Sequence, residues 1–398
     1  MLIEKNNVNK QHLKEMKKVL LLATVFLSIC AFSQKKEGFD VAKLDKNMSV
    51  KGIDESKYTW YDAKSVPFDI NGLKWFNQEK KYRRLPSQEN TEHKIPLKVE
   101  RLANCTAGGQ VRFKTNSRHI ALRVKIPPIK VRYHQTPLGQ RGFDCYVGKA
   151  PNLEYYGSVK FSIEQLEYAS KFMINTNGMV DVVFNMPLYG GVESIEIGLD
   201  KNAQVLPPTP LTDDGNCIVV YGTSITQGGG ANRPGMLYTN ILSRMLNREV
   251  VNLGFSGSGK GEPEIARLIT NIDKKDLIIL DFEANTHEKL RTVLRPFIEE
   301  IRKKEKNTPI LILSRIALLR DRNKKNLDKR ISLMNFQKDL VKELKNAGDE
   351  NIYFKNGAEL FTNRWGLEGT IDGTHCTDLG YMLMAESLEP VVRSILDK

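Results

Sequence analysis

The sequence predicts a mixed α/β protein in which an antiparallel β-sandwich or jelly roll precedes a parallel sheet wrapped in helices. Before residue 206, short stretches alternate apolar and polar residues between turn signals, whereas continuous apolar runs alternate with helical stretches after residue 216. The intervening "LPPTPLTDDGN" is rich in proline and turn-forming residues. The 398 residues also exceed the size at which one core usually stops growing. We therefore predict domains at 36–205 and 217–398, joined by a linker at 206–216.

The alternating pattern of the first domain is clearest in "KVERLANCTAGGQVRFKTNSRHIALRVKI", residues 98–126. It continues in "GFDCYVG", "YYGSVKFSI", "MVDVVFNMPLY" and "VESIEIGLD", which Gly, Asn and Pro separate. Short strands of this kind are typical of antiparallel sheets with one solvated face.

Five apolar runs predict the strands of the second domain: "CIVVYG", "EVVNLGF", "DLIILDF", "PILILSRI" and "NIYFKNG". Helical stretches are predicted at 236–246, 262–271, 287–304, 326–346 and 378–396. This alternation predicts a five-stranded parallel sheet, in which ligands bind at the carboxyl ends of the strands.

The N-terminus has the form of a secretory signal peptide. "MKKVLLLATVFLSICAFSQ" begins at Met16 with a basic pair, continues with an apolar run and ends in small residues before Gln34. We predict a signal peptide at 1–33, with Met16 as the natural start, and export to the periplasm or the extracellular space. The apolar run is too short for stable membrane insertion. Lipid attachment through Cys30 is the alternative, although Ile29 occupies a position where a small residue is preferred.

The formal net charge is +13. Basic residues are scattered, and two aspartates interrupt the densest run, 320–330, so a solvated lysine-rich surface is the plain interpretation and an anionic substrate the alternative. Export and dispersed charge argue against nucleic acid as a partner. The sequence does not fix the oligomeric state.

Four cysteines follow the predicted signal peptide, without a CxxC motif that would indicate a zinc cluster: Cys105, Cys145, Cys217 and Cys376. Both a Cys105–Cys145 disulfide and buried free thiols are compatible with the sequence.

Three polar or glycine positions follow successive apolar runs. Ser224 comes after "VVYGT", where Gly222 permits a tight turn, and is a candidate nucleophile or a helix N-cap. Gly257 lies in "NLGFSGSG", where a backbone N–H can approach a ligand or an ordinary turn can form. Asn285 in "LDFEANT" offers an amide that can face developing negative charge or cap a helix.

Asp372 and His375 lie in "GTIDGTHCTDLGY", just before the final helix. This spacing lets a carboxylate hold one imidazole nitrogen while the other takes a proton from a serine. With Ser224 they supply a catalytic triad, and the N–H groups of Ser224 and Gly257 with the Asn285 amide supply an oxyanion hole. The sequence therefore predicts a serine esterase.

The blocks "GTSIT", "NLGFSGSG", "FEAN" and "DGTH" resemble, in the same order, those of the SGNH (GDSL-like) hydrolases. The resemblance implies a three-layer α/β/α flavodoxin-like fold, no metal or other cofactor, and the roles just given for the five site residues. Glu283 stands where many relatives carry glycine, so we expect a different pocket wall.

"GFDCY" at 142–146 resembles the GxDLY motif of the N-terminal domain in two-domain bacterial SGNH esterases, with Cys145 in place of Leu. Similar architectures deacetylate carbohydrates. We therefore expect the enzyme to remove acetyl or other short acyl groups from an acylated small molecule or polysaccharide. The alternatives are a lipid or thioester acylhydrolase and a carbohydrate-binding protein with an inactive hydrolase core.

Arg233 follows the glycine-rich loop and is a candidate substrate contact, or a surface arginine. Trp60, Trp75 and Tyr155 are candidate sugar-stacking residues, or members of the core.

Overall fold

The computed structural model describes residues 14–19, 40–90, 94–175, 178–361 and 366–398. Residues 1–50 and 51–398 are separate units, and the second contains residues 51–205 of the predicted first domain and all of the predicted catalytic domain. Apart from the helical stretch 14–19, the predicted signal peptide lies outside the described residues. No helix in the described ranges is long and apolar enough to cross a membrane.

Two antiparallel sheets form the first half of the second unit, as predicted. Four strands are ordered β1-β9-β4-β7, and a larger sheet is ordered β10-β3-β8-β5-β6, with β2 paired to β3. The strands are β1 (Tyr58–Asp62), β2 (Asp69–Asn71), β3 (Gln110–Thr115), β4 (His119–Lys125), β5 (Asp144–Lys149), β6 (Asn152–Ser158), β7 (Glu167–Met173), β8 (Val180–Asn185), β9 (Ser194–Asp200) and β10 (Val205–Leu206). Apolar side chains from both sheets, including Phe113, Leu122 and Phe184, share one core.

Five parallel strands form the sheet of the second half, in the order β12-β11-β13-β14-β15. They are β11 (Cys217–Gly222), β12 (Glu249–Gly254), β13 (Lys275–Asp281), β14 (Ile310–Leu313) and β15 (Ile352–Lys355). Alternate residues of β11 enter different cores, because Val219 belongs to one apolar cluster and Val220 to another. Helices cover both clusters, so this half is the predicted α/β/α arrangement.

The helices of the described unit vary from single turns to 23 residues. They are α1 (Phe76–Glu79), α2 (Leu97–Leu102), α3 (Pro137–Arg141), α4 (Ser224–Gln227), α5 (Tyr238–Leu246), α6 (Pro263–Thr270), α7 (Glu283–Thr286), α8 (Leu290–Arg302), α9 (Lys324–Asn346) and α10 (Asp378–Leu396). The helix predicted to begin at residue 287 begins at Leu290 instead, so the predicted start of α8 is wrong. His287 has a φ of 50°, and a 3-10 turn at His287–Lys289 precedes the helix.

A buried arginine joins the two halves next to β12. Arg84 is fully buried and donates hydrogen bonds to the carbonyl oxygens of Cys105 at 2.8 Å and Gly254, the last residue of β12. Its guanidinium also lies 4.7 Å from the ring centre of Phe255. The first half therefore supports the strand end that leads into Gly257.

Asp144 of the "GFDCY" motif makes a second junction. Its buried carboxylate accepts hydrogen bonds from the Gly235 N–H at 2.8 Å, the Arg233 guanidinium at 2.7 Å and the Asn185 amide at 2.8 Å. The four cysteines are buried and free, so the described residues contain no Cys105–Cys145 disulfide.

Candidate active site

Ser224 is the first residue of α4, separated from the end of β11 by Thr223 alone. The Thr223 hydroxyl caps this helix by accepting from the Ile225 N–H. Gly222 is required because a Cβ there would lie 1.9 Å from the Thr226 Oγ1. As the first helical residue, Ser224 has a backbone N–H without an intrahelical acceptor. The turn thus presents a hydroxyl and an N–H at the carboxyl edge of the sheet.

His375 links Ser224 to Asp372. The Nε2 atom of His375 lies 3.0 Å from the Ser224 Oγ, and its Nδ1 lies 2.7 Å from the Asp372 Oδ2. Asp372 Oδ1 also accepts from the backbone N–H groups of Thr374 at 3.0 Å and His375 at 2.8 Å. The structure therefore brings together the three residues that the sequence predicts as a triad, in the geometry that proton transfer from serine requires.

The Asp372 carboxylate is held in its charged form. Burial alone would raise its pKa, but the hydrogen bonds and charge of His375 and the Thr374 N–H outweigh burial and lower the pKa below its ordinary value. An ionised Asp372 favours the tautomer of His375 that carries its proton on Nδ1 and leaves Nε2 free to accept one.

The two other predicted oxyanion donors lie beside each other. Gly257 is exposed and has a φ of 66°. No heavy atom outside its own chain neighbours lies within 4 Å of a Cβ built there, so its backbone conformation rather than space favours glycine. Asn285 belongs to α7, and its amide donates to the carbonyl oxygen of Ser258, the residue after Gly257. One amide N–H of Asn285 remains for a ligand.

The first half contributes two side chains that sequence reasoning missed. The His134 ring stacks on the His375 ring, with centroids 5.2 Å apart and planes 21° apart. Tyr189 donates from its hydroxyl to the Ser224 carbonyl oxygen at 3.4 Å. Both residues are remote from Ser224 in sequence, and neither lies in a recognisable motif. Only the packing of the two halves brings them to the site.

Two acids behind the site support its loops. Asp281, the last residue of β13, accepts from the Thr226 hydroxyl at 2.8 Å and the Tyr238 hydroxyl at 3.0 Å. Burial raises the pKa of Asp281 to about 7. Glu283, the first residue of α7, accepts from the Gln337 amide of α9 at 2.8 Å and is 2% exposed. It therefore attaches α7 to α9 and does not line a pocket wall.

The remaining candidates have other surroundings. Arg233 forms an ion pair with Asp144, and its guanidinium lies 3.9 Å over the ring centre of Tyr155. These contacts hold the Arg233 side chain at the junction of the two halves. Trp75 is buried in a core cluster, and the half-buried Trp60 stacks with Arg123 at 4.3 Å. Tyr155 is 48% exposed.

Comparisons with known proteins follow the same division of the chain. A model of the GDSL-like lipase/acylhydrolase family matches residues 215–393. The GxDLY model, described as the N-terminus of Esterase_SGNH_hydro-type, matches residues 58–205. No protein with a curated description matches significantly.

Solved structures match most of the chain. A GDSL-like lipase from Bacteroides ovatus is 28% identical with a TM-score of 0.76, over 85% of this chain and 98% of that one. The salicylyl acyltransferase SsfX3 from a tetracycline biosynthetic pathway is 20% identical, with a TM-score of 0.70 over the same shares. A family two carbohydrate esterase from Clostridium thermocellum, in complex with cellohexaose, is 16% identical with a TM-score of 0.51, over 73% of this chain and 93% of that one. The last two similarities concern the fold.

The matched segments and the shared architecture assign each half of the chain to a known type of domain. Residues 215–393 match the GDSL-like lipase/acylhydrolase family, residues 58–205 in front of them match the N-terminal domain of SGNH-type esterases, and the protein is a hydrolase of ester bonds.

Proposed function

We propose that the protein is an exported serine carboxylic-ester hydrolase that removes acetyl or other short acyl groups from carbohydrate. The observation that carries the catalytic part is the continuous hydrogen-bonded series from the Ser224 Oγ through His375 to Asp372. We retain 36–205, 206–216 and 217–398 as the first domain, linker and catalytic domain of this enzyme.

The proposed reaction has two displacement steps. The Ser224 Oγ bonds to the ester carbonyl carbon while His375 Nε2 takes the hydroxyl proton. The N–H groups of Ser224 and Gly257 and the Asn285 amide stabilise the oxyanion. The C–O bond to the alcohol then breaks, and His375 gives its proton to the departing oxygen. Water, deprotonated by His375, then attacks the acyl carbon; the bond to the Ser224 Oγ breaks, His375 returns the proton to this oxygen, and the carboxylic acid is released.

Carbohydrate as the alcohol is supported by analogy of fold. The Clostridium thermocellum esterase combines a similar fold with bound cellohexaose, and the N-terminal sequence has the form of an export signal. The likeness to SsfX3 is a reason to include an alcohol acceptor in the assays, because an acyl-enzyme can pass its acyl group to an alcohol in place of water.

The test is hydrolysis of p-nitrophenyl acetate and octanoate by the chain lacking residues 1–33. The Ser224→Ala variant is the test variant, and Ser394→Ala, an exposed serine of α10, is the matched control. We expect acetate to be preferred and Ser224→Ala to lose at least about 1,000-fold in kcat/KM. Undiminished turnover in Ser224→Ala would contradict the serine mechanism, and a preference for octanoate would favour a lipid acylhydrolase.

A further inference from the structure

Three exposed basic residues lie on the segments that follow β12, β13 and β14; we call them the cationic rim: Lys260, His287 and Arg320. Lys260 lies three residues after Gly257, and His287 lies two residues after Asn285. Arg320 follows Leu319, whose N–H donates to the Gly373 carbonyl oxygen at 2.8 Å. The rim therefore extends from the oxyanion loop to the loop that carries Asp372 and His375.

Nearby acids make no ion pair with the side chains of Lys260 or Arg320 within the described ranges. Glu262 accepts from the Lys260 backbone N–H at 2.8 Å and from the Tyr221 hydroxyl, and Glu283 and Asp321 pair with Arg315. Asp321 is buried and accepts two hydrogen bonds from the Arg315 guanidinium, at 2.8 and 2.6 Å. Glu283 accepts from the Arg315 backbone N–H at 2.8 Å. Lys260 and Arg320 thus present positive charge to solvent without an ion-pair partner in the described ranges.

These charges act on one another. The pKa of His287 is lowered first by burial and then by the positive charges of Arg320, Arg315, Lys260 and Lys329. A lowered pKa leaves His287 uncharged near neutral pH, so Lys260 and Arg320 carry the positive charge of the rim, which a bound anion would neutralise. An unpaired cluster beside a catalytic serine is therefore suited to a negatively charged ligand.

A further cation approaches from the first half. Arg132 is exposed, and its guanidinium lies 5.5 Å over the ring centre of Tyr189, the residue whose hydroxyl reaches the Ser224 carbonyl oxygen. Positive charge thus flanks the serine from both halves of the molecule. The sequence permits a solvated surface or an anionic substrate, and this placement favours the substrate.

We propose that the substrate is an anionic ester, in which a carboxylate close to the scissile bond binds the cationic rim. The inference rests on the proposed esterase function and narrows it to esters of acidic sugars or other carboxylate-bearing compounds. Lys260 and Arg320 donate charge-assisted hydrogen bonds to the carboxylate, and the field of the rim raises the rate of encounter.

Two matched pairs of esters test the inference in the chain lacking residues 1–33. In the first pair, mono-p-nitrophenyl succinate carries a carboxylate on the acyl side and p-nitrophenyl butyrate is the neutral ester. In the second pair, meta-acetoxybenzoate carries a carboxylate on the alcohol side and phenyl acetate is the neutral ester. Each kcat/KM is divided by the rate of hydroxide-catalysed hydrolysis of the same ester. We expect the anionic ester to be preferred at least about tenfold in one pair. The preference should shrink between about 0.01 M and 1 M salt, as the Debye length falls from about 30 Å to about 3 Å.

Charge-removing variants identify the residues responsible. We expect Arg320→Gln and Lys260→Gln each to lower the anionic-to-neutral ratio several-fold. Lys171→Gln, which removes the same charge from β7 of the four-stranded sheet, should leave the ratio unchanged. The inference is overturned if neither pair shows a preference for the anionic ester, or if Lys171→Gln lowers the anionic-to-neutral ratio as much as Arg320→Gln and Lys260→Gln do. If the neutral esters are then still hydrolysed with dependence on Ser224, the esterase function stands. If no ester is hydrolysed, the result contradicts both the esterase function and the anionic substrate.

Discussion

At the residue scale, the two candidate oxyanion donors achieve their positions by different means. Gly257 relies on a left-handed backbone, whereas Asn285 relies on a hydrogen bond from its amide to the Ser258 carbonyl oxygen. The bond fixes Asn285 against the loop that carries Gly257. Both donors are therefore oriented before substrate binds, which lowers the cost of reorganisation in the transition state.

Replacing Asn285 by alanine should remove one preorganised donor without emptying a core position, since the side chain is only half-buried. We expect kcat for p-nitrophenyl acetate to fall about 100- to 1,000-fold with little change in KM. The midpoint of thermal unfolding provides the control and should stay close to that of the wild type. A change confined to KM would argue that Asn285 contacts substrate but does not stabilise the transition state.

At the scale of elements, Asp281 ties the end of β13 to the helix that begins at Ser224. Two hydroxyl groups, those of Thr226 and Tyr238, donate to the same oxygen of its carboxyl group. A buried acid in this place has a consequence for stability, because its pKa is raised to about 7 from an ordinary value of 3.8.

The sign of the effect follows from proton binding. Between about pH 4 and pH 7, Asp281 is protonated in the folded protein and ionised in the unfolded chain, so stability should fall as the pH rises through this window. Above about pH 7 this contribution is constant. Asp281→Asn should lack it. We expect the thermal midpoint of the wild type, measured relative to that of Asp281→Asn, to decrease from pH 4 to pH 7; a difference independent of pH would contradict a raised pKa.

The elements themselves were largely predictable from local patterns. The final helix, predicted at 378–396, is observed as Asp378–Leu396, because its apolar face and its Thr377 cap are local features. Non-local contacts limit the other boundaries. The helix predicted from 236 begins at Tyr238, after a 3-10 turn at Pro234–Met236 that places the Gly235 N–H against Asp144.

At the scale of the whole molecule, the ion pair between Asp144 and Arg233 connects the first half to the loop that follows the Ser224 helix. The carboxylate is fully buried, and the arginine side chain is 18% exposed. Removal of one partner leaves a buried charge without compensation, which costs more than the pair itself contributes.

Asp144→Asn should therefore destabilise the protein by about 3 kcal/mol, seen as a lower midpoint of thermal unfolding. The double variant Asp144→Asn, Arg233→Met should lose less than the sum of the two single variants, since it leaves no unpaired guanidinium. Strictly additive losses would mean that the two side chains do not interact energetically.

The sequence by itself predicted the sheet types, the five apolar strands and the candidate site residues Ser224, Gly257, Asn285, Asp372 and His375, because periodicity and strand-end chemistry are local properties. The carboxyl ends of parallel strands meet at one edge, so residues distant in sequence could be expected together. Only the tertiary structure decided that His134 stacks on His375, that Arg84 supports the end of β12, and that the cationic rim borders the site. These contacts join residues of different elements, and no local pattern encodes which surfaces of two packed halves will meet.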